Sequence, residues 1–134
     1  MVSQIFINLP VADLKRSIAF FTALEFRFEE KWSDATTTCM VVAPTICVML
    51  IQRERFQGFT PRAVADAHHG TEVLLSIALE SREAVNTLVA RALRQGATVW
   101  KTAEDHGFMY AHAFADLDGH IWEPLHFTPA TPEA

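Results

Sequence analysis

The chain has 134 residues, half of them hydrophobic and a fifth charged, with a formal net charge of −5. That length supports one domain with a real core, and the acidic balance argues against nucleic acid or an anionic membrane as partner. No basic segment precedes an apolar run at the N-terminus and no apolar stretch is long enough to span a bilayer, so the expected location is the cytoplasm.

Residues 4–11, Gln-Ile-Phe-Ile-Asn-Leu-Pro-Val, are apolar and β-rich. Pro10 cannot donate to a ladder and belongs at a strand end or edge. Asp13 caps a helix to about Leu24, with Leu14, Ile18, Phe21 and Leu24 on one stripe. Residues 26–32 and 36–43 predict two strands with a break at Ser33-Asp34, and 46–52 predict a third after the Pro44-Thr45 turn. Cys39 and Cys47 fall in these apolar segments. Buried reduced thiols are the default reading, and a cross-strand disulfide stays open. The polar stretch from Arg53 to Gly70 is the longest loop, with one helical turn expected near Arg62–Ala67.

The order then repeats. Residues 71–79 predict a strand. Ser81 caps a helix to about Gln95, and Gly96 stops it. Residues 98–101, 108–115 and 120–127 predict three more strands, and the tail from Thr128 should be loose. Asp118-Gly119 is a strong hairpin signal, because Gly accepts positive φ and Asp bonds the local backbone. Each half therefore reads strand, helix, strand, strand, strand. The expected architecture is a single α+β domain of two modules, about 3–55 and 70–128, joined by a loop at about 53–70. Curved sheets with helices outside make concave small-molecule sites.

Glu123 sits in a strand that otherwise reads as buried, on the face shared by Ile121 and Leu125, and a buried carboxylate needs a partner. Three roles are open to it: structural acceptor, ligand-orienting group, or general base with a pKa raised by apolar surroundings. No Arg or Lys in the predicted strands stands out as an oxyanion stabiliser. Six histidines are many for this length. His106, His112 and His120 suggest a metal site, but no pair has helical i, i+4 spacing, and hydrogen bonding at a sheet surface is the plainer reading. His112 and His120 flank the hairpin turn and could pair across it. Trp122 alternates with Glu123 and should point into the core, towards the helices.

Two segments carry a family resemblance by motif. Asn8-Leu9-Pro10-Val11-Ala12-Asp13 through Ser17 to Phe20-Phe21 looks like an opening strand followed by a D-x-x-x-S-x-x-F-Y helix. Asp116-Leu117-Asp118-Gly119-His120-Ile121-Trp122-Glu123 looks like a D-P-D-G-N/H-x-W-E ending, with Leu117 in place of Pro. Ser76 to Leu93 matches in pattern only. The chain thus resembles the vicinal oxygen chelate superfamily of glyoxalases, bleomycin resistance proteins and extradiol dioxygenases. The resemblance implies paired βαβββ modules, usually in a homodimer, and, in the metal-dependent members, four ligand positions filled by His, Gln or Glu.

Carried over, those positions fall on Phe6, Met49, Leu74 and Glu123, of which only Glu123 can bind a divalent cation. A two-residue slip along the same face adds only Asn8, Glu72 and Ser76. The resemblance therefore implies a small-molecule-binding protein without a cofactor, its concave cavity lined by Phe6, Asn8, Met49, Leu74, Ser76 and Glu123. The alternative is a lyase, isomerase or dioxygenase that uses Glu123 catalytically, with a divalent metal on non-standard ligands. Glu25 stands where the family usually has the Gly that ends the first helix, so a strained left-handed residue is expected there.

Overall fold

The computed structural model describes residues 1–129. The chain divides into two compact units, Met1–Asp66 and the residues from Ala67 onward. Each contains one four-stranded sheet and one long helix.

In the first unit, β1 (Ile5–Val11) leads to α1 (Leu14–Ala23). Then follow β2 (Arg27–Glu29), a 3-10 turn (Glu30–Trp32), β3 (Thr37–Ala43), β4 (Ile46–Gln52) and the short α2 (Arg53–Gln57). The sheet order is β1-β4-β3-β2, with β1 parallel to β4 and the other pairs antiparallel. β1 is an edge strand, and there Pro10 forfeits no ladder bond on its open side. Asp13 caps α1 by accepting from the Arg16 amide at 3.1 Å. Side chains alternate across a strand. Gln52, at the end of β4, accepts a hydrogen bond from the first amide of α1, Leu14. That contact puts the even-numbered side of β4 under the helix, and accordingly Val48, Leu50 and the neighbouring Met40 are buried against it. The odd-numbered side, with Cys47, Met49 and Ile51, faces away from α1.

The second unit repeats the plan with β5 (Leu74–Ala78), α3 (Arg82–Arg94), β6 (Thr98–Asp105), β7 (Met109–Ala115) and β8 (Ile121–Phe127), in sheet order β5-β8-β7-β6. Ser81 caps α3 by accepting from the Ala84 amide at 3.0 Å. Tyr110 donates to Asn86 of α3 at 2.6 Å, which fixes the even-numbered side of β7 as the helix side. Phe114 and its register partner Trp122 lie on that side with Val85 and Val89, all buried. Trp122 is core, as its alternation with Glu123 requires.

The β7–β8 hairpin turns at Asp116–His120. Gly119 has φ +87°, and a Cβ there would lie 2.6 Å from the His68 amide nitrogen and 2.7 Å from the Ala67 carbonyl carbon. The position demands glycine on both counts.

Three details depart from the sequence reading. The strand expected over 26–32 ends at Glu29, because the Ser33 hydroxyl bonds the Glu29 carbonyl and the chain coils into the 3-10 turn. The helical turn expected at 62–67 lies instead at 53–57, where good helix formers directly follow β4. The segment after it is irregular and is pinned by side chains. Arg53 donates to the Val64 and Ala65 carbonyls, and Gln57 to those of Thr60 and Arg62. Finally, the hairpin register sets Ala111 against Leu125 and Phe114 against Trp122, so His112 is level with Pro124 and not with His120.

Cys39 and Cys47 are free and buried. Cys39 is opposite Met49 and Cys47 opposite Val41, so the thiols are diagonal neighbours on one sheet face. Burial, then the hydrogen bond to Cys47, push the Cys39 thiol up to about 11.

Candidate functional site

The side of the first sheet away from α1 carries the cross-strand row Asn8, Met49, Cys39, Glu29. A cavity of about 700 Å³ opens on this side. β1 contributes Phe6 and Asn8, β4 contributes Met49 and Ile51, and β3 contributes Thr37. The 3-10 turn brings Lys31 and Trp32, and α2 with its following loop brings Arg55, Phe56 and Phe59.

The aromatic groups are ordered by one another. Phe6 meets Trp32 edge to face with centroids 5.5 Å apart. The Lys31 ammonium sits 4.6 Å from the Trp32 centroid and the Arg55 guanidinium carbon 5.9 Å from that of Phe59, both cation–π distances. Phe6 and Trp32 keep 43% and 42% of their surface exposed, so apolar rings stand open at the cavity instead of being absorbed into the core.

The charges differ in their freedom. Arg55 is held by Asp34 at 3.3 Å and by the Thr36 hydroxyl at 3.0 Å. Asp34 accepts from the Thr36 amide at 2.8 Å, and that bond, ahead of the Thr36 hydroxyl and Arg55, holds its carboxyl below the usual carboxylate range. Lys31 has no carboxylate within ion-pair distance among the described residues. The Asn8 side-chain amide likewise has no hydrogen-bond partner among them. Thr37 is buried and its hydroxyl has no hydrogen-bond partner among the described residues, a group whose burial is costly.

In the second unit Leu74 and Ser76 lie on β5 opposite Ile121 and Glu123 of β8. The Ser76 hydroxyl bonds the Glu123 carboxylate at 3.1 Å, and Glu123 is half-buried. Its face is the one away from α3, because the register sets Glu123 level with Ala113, an odd-numbered residue of β7. Ala111, Ala113 and Ala115 make that stretch of β7 shallow, and Lys101 of β6 is opposite Ala113. Lys101 thus stands in the same cross-strand row as Glu123, a cation that the short strand expected at 98–101 gave no reason to place there.

Three of the six residues expected at a ligand, Phe6, Asn8 and Met49, line the first unit's cavity; Leu74, Ser76 and Glu123 are not part of its lining. Trp32 was open in the sequence to a core or a cavity-lining place, and Lys31, Arg55, Phe56 and Phe59 escaped the sequence reading. Their signal was the clustering of aromatic and basic residues just before the Ser33-Asp34 break and after β4, which period-based reasoning passes over. Of the four positions to which the resemblance assigns metal ligands, Phe6 and Leu74 offer no donor and Met49 a thioether that prefers soft ions. Among the described residues, no group of three or more His, Cys, Asp or Glu could hold a metal ion. This donor set does not fit a divalent cation.

A family model described as Glyoxalase/Bleomycin resistance protein/Dioxygenase superfamily matches residues 4–123. Among solved structures, the hypothetical protein SA1046 from S. aureus is 27% identical with a TM-score of 0.82, covering 94% of this chain and 95% of its own. A glyoxalase/bleomycin resistance protein/dioxygenase family enzyme from Burkholderia phytofirmans PsJN is 18% identical with a TM-score of 0.76, over 92% of this chain and 97% of its own. The genomically encoded fosfomycin resistance protein FosX from Listeria monocytogenes is 18% identical with a TM-score of 0.68, over 96% of each chain. No curated protein sequence is significantly similar. No helix among the described residues is long and apolar enough to cross a membrane.

Proposed function

Because the chain belongs to the glyoxalase/bleomycin resistance protein/dioxygenase superfamily, we propose that it uses the family fold to bind a small, partly apolar molecule without the family's metal site. One observation carries this reading. Phe6 and Met49, which the resemblance sets at two of the family's metal-ligand positions, both line a cavity of about 700 Å³, large enough for a drug-sized ligand. Apolar bulk at those positions gives up metal affinity and gains contact area, and Met49 supplies an adaptable wall. A homodimer, as the resemblance implies, acting in the cytoplasm is part of the proposal, and the two free buried thiols fit a reducing compartment.

A fragment screen by thermal shift tests the reading, since a ligand that binds only the folded state raises the melting temperature. Partly apolar fragments should shift it, and substituting Met49→Lys should abolish those shifts. A screen with no hit at all would overturn the reading.

The second reading is a metal-dependent lyase, isomerase or dioxygenase. Glu123 favours it, as an accessible carboxylate held by Ser76 and in one cross-strand row with Lys101. Metal analysis of protein purified without a histidine tag, then challenged with Ni, Zn, Mn and Fe(II), separates the two. A stoichiometric ion that depends on Glu123 would favour the second.

A further inference from the structure

The first unit's cavity has a charge character opposite to that of the chain. The protein carries a formal −5, yet the cavity wall presents Lys31, Arg55 and one carboxylate, Asp34. Asp34 is committed to Arg55 at 3.3 Å and to the Thr36 amide at 2.8 Å, so the pair cancels locally. The Lys31 ammonium remains. Its only described contact is the Trp32 ring face, 4.6 Å away, and that ring is itself edge-on to Phe6. A cation over an aromatic ring that also stands open to a cavity marks a place where a flat ring and a negative charge can be met together. The Asn8 amide, on the cavity floor and without a partner among the described residues, offers a neutral hydrogen bond to the same ligand.

Deepening the small-molecule reading on which it rests, we propose that this cavity takes a planar aromatic monoanion of the aryl carboxylate class, with its ring among Phe6, Trp32, Phe56 and Phe59 and its carboxylate at Lys31. A cationic aromatic of the same size is disfavoured, because the one carboxylate in the lining is occupied by Arg55. No covalent step is involved.

The test uses the full chain and three probes of nearly one shape: 2-naphthoate, its neutral amide, and 2-naphthylmethylammonium, compared by isothermal titration calorimetry at low salt. Naphthoate should bind about fivefold or more tighter than the amide, the scale of a partly exposed ion pair. The cation should bind most weakly. Lys31→Gln should bring naphthoate down to the amide's affinity and weaken the amide far less than naphthoate, a split that a folding defect would not produce. Raising the salt should narrow the preference. Equal binding of all three probes, or an anion preference that survives Lys31→Gln, overturns the charge assignment and leaves the small-molecule reading standing. Binding by none of the three also overturns it, and the broader fragment screen then decides the small-molecule reading separately.

Discussion

The indole N–H of Trp122 donates to Asp116 Oδ2 at 2.9 Å, while Asp116 Oδ1 accepts from the amides of Asp118 at 2.9 Å and His120 at 3.0 Å. One buried carboxylate thereby ties the hairpin turn to the largest side chain of the second unit's core. Burial pushes the Asp116 carboxyl up, against the nearby His120 and the three N–H groups that favour its charged form. Asp116→Ala strands those three donors. It should cost about 3 kcal/mol, the scale of one to three unmade buried hydrogen bonds. Urea denaturation measures it, and a loss below about 1 kcal/mol would show that the turn closes without the carboxylate.

Glu25 and Gly96 hold the same position at the ends of the two long helices. At α1, the amides of Glu25 and Phe26 bond the carbonyls of Thr22 and Phe21; at α3, those of Gly96 and Ala97 bond Leu93 and Ala92. Both are Schellman closures needing a left-handed residue. Gly96 has φ +104° and Glu25 φ +71°. The sequence expectation of a strained residue at Glu25 is therefore met. Glu25→Gly should stabilise the fold by up to about 1 kcal/mol. A lower melting temperature for the variant would refute this.

The Cys39 thiol gives a pH signature. Its ordinary value is 9.0 and the fold raises it to about 11, first through burial, then through Cys47, then through Glu29. Between those values the unfolded chain loses the proton that the folded chain keeps. The stabilisation is complete below about pH 9 and is lost as pH rises towards 11. Thermal melts across that window should fall more steeply for the native chain than for Cys39→Ala. Parallel curves would mean that the thiol does not contribute. Both thiols are buried, so neither should react with iodoacetamide at neutral pH without unfolding.

The element order was legible because its signals are local. Asp13 and Ser81 cap as their residue types require, and Asp118-Gly119 makes the turn that places Glu123 and Trp122 on opposite faces. Phe6 and Met49 were reached through the family resemblance, and Asn8 as the neighbour two residues along the same strand face. The cavity's other wall was not. Lys31 and Trp32 reach it through a 3-10 turn set by the Ser33 hydroxyl, and Phe56 and Phe59 through a helix and its following residues at the start of the long loop, ahead of the turn expected at 62–67. Both elements are local, but a three-residue 3-10 turn and a five-residue helix are too short for a hydrophobic period to register. The histidine pairing across the turn failed for a different reason: strand register, not nearness in sequence, decides what stands opposite.

Every residue lining the cavity lies between Phe6 and Thr60, inside the first of the two units. In a doubled architecture this frees the copies to change separately. On the proposed function, substitutions around Lys31 or Phe59 would alter what is recognised, while Ser76 and Glu123 belong to the other unit. A repeat is a source of spare parts: on the proposed function one half would keep the ligand and leave the other open to selection.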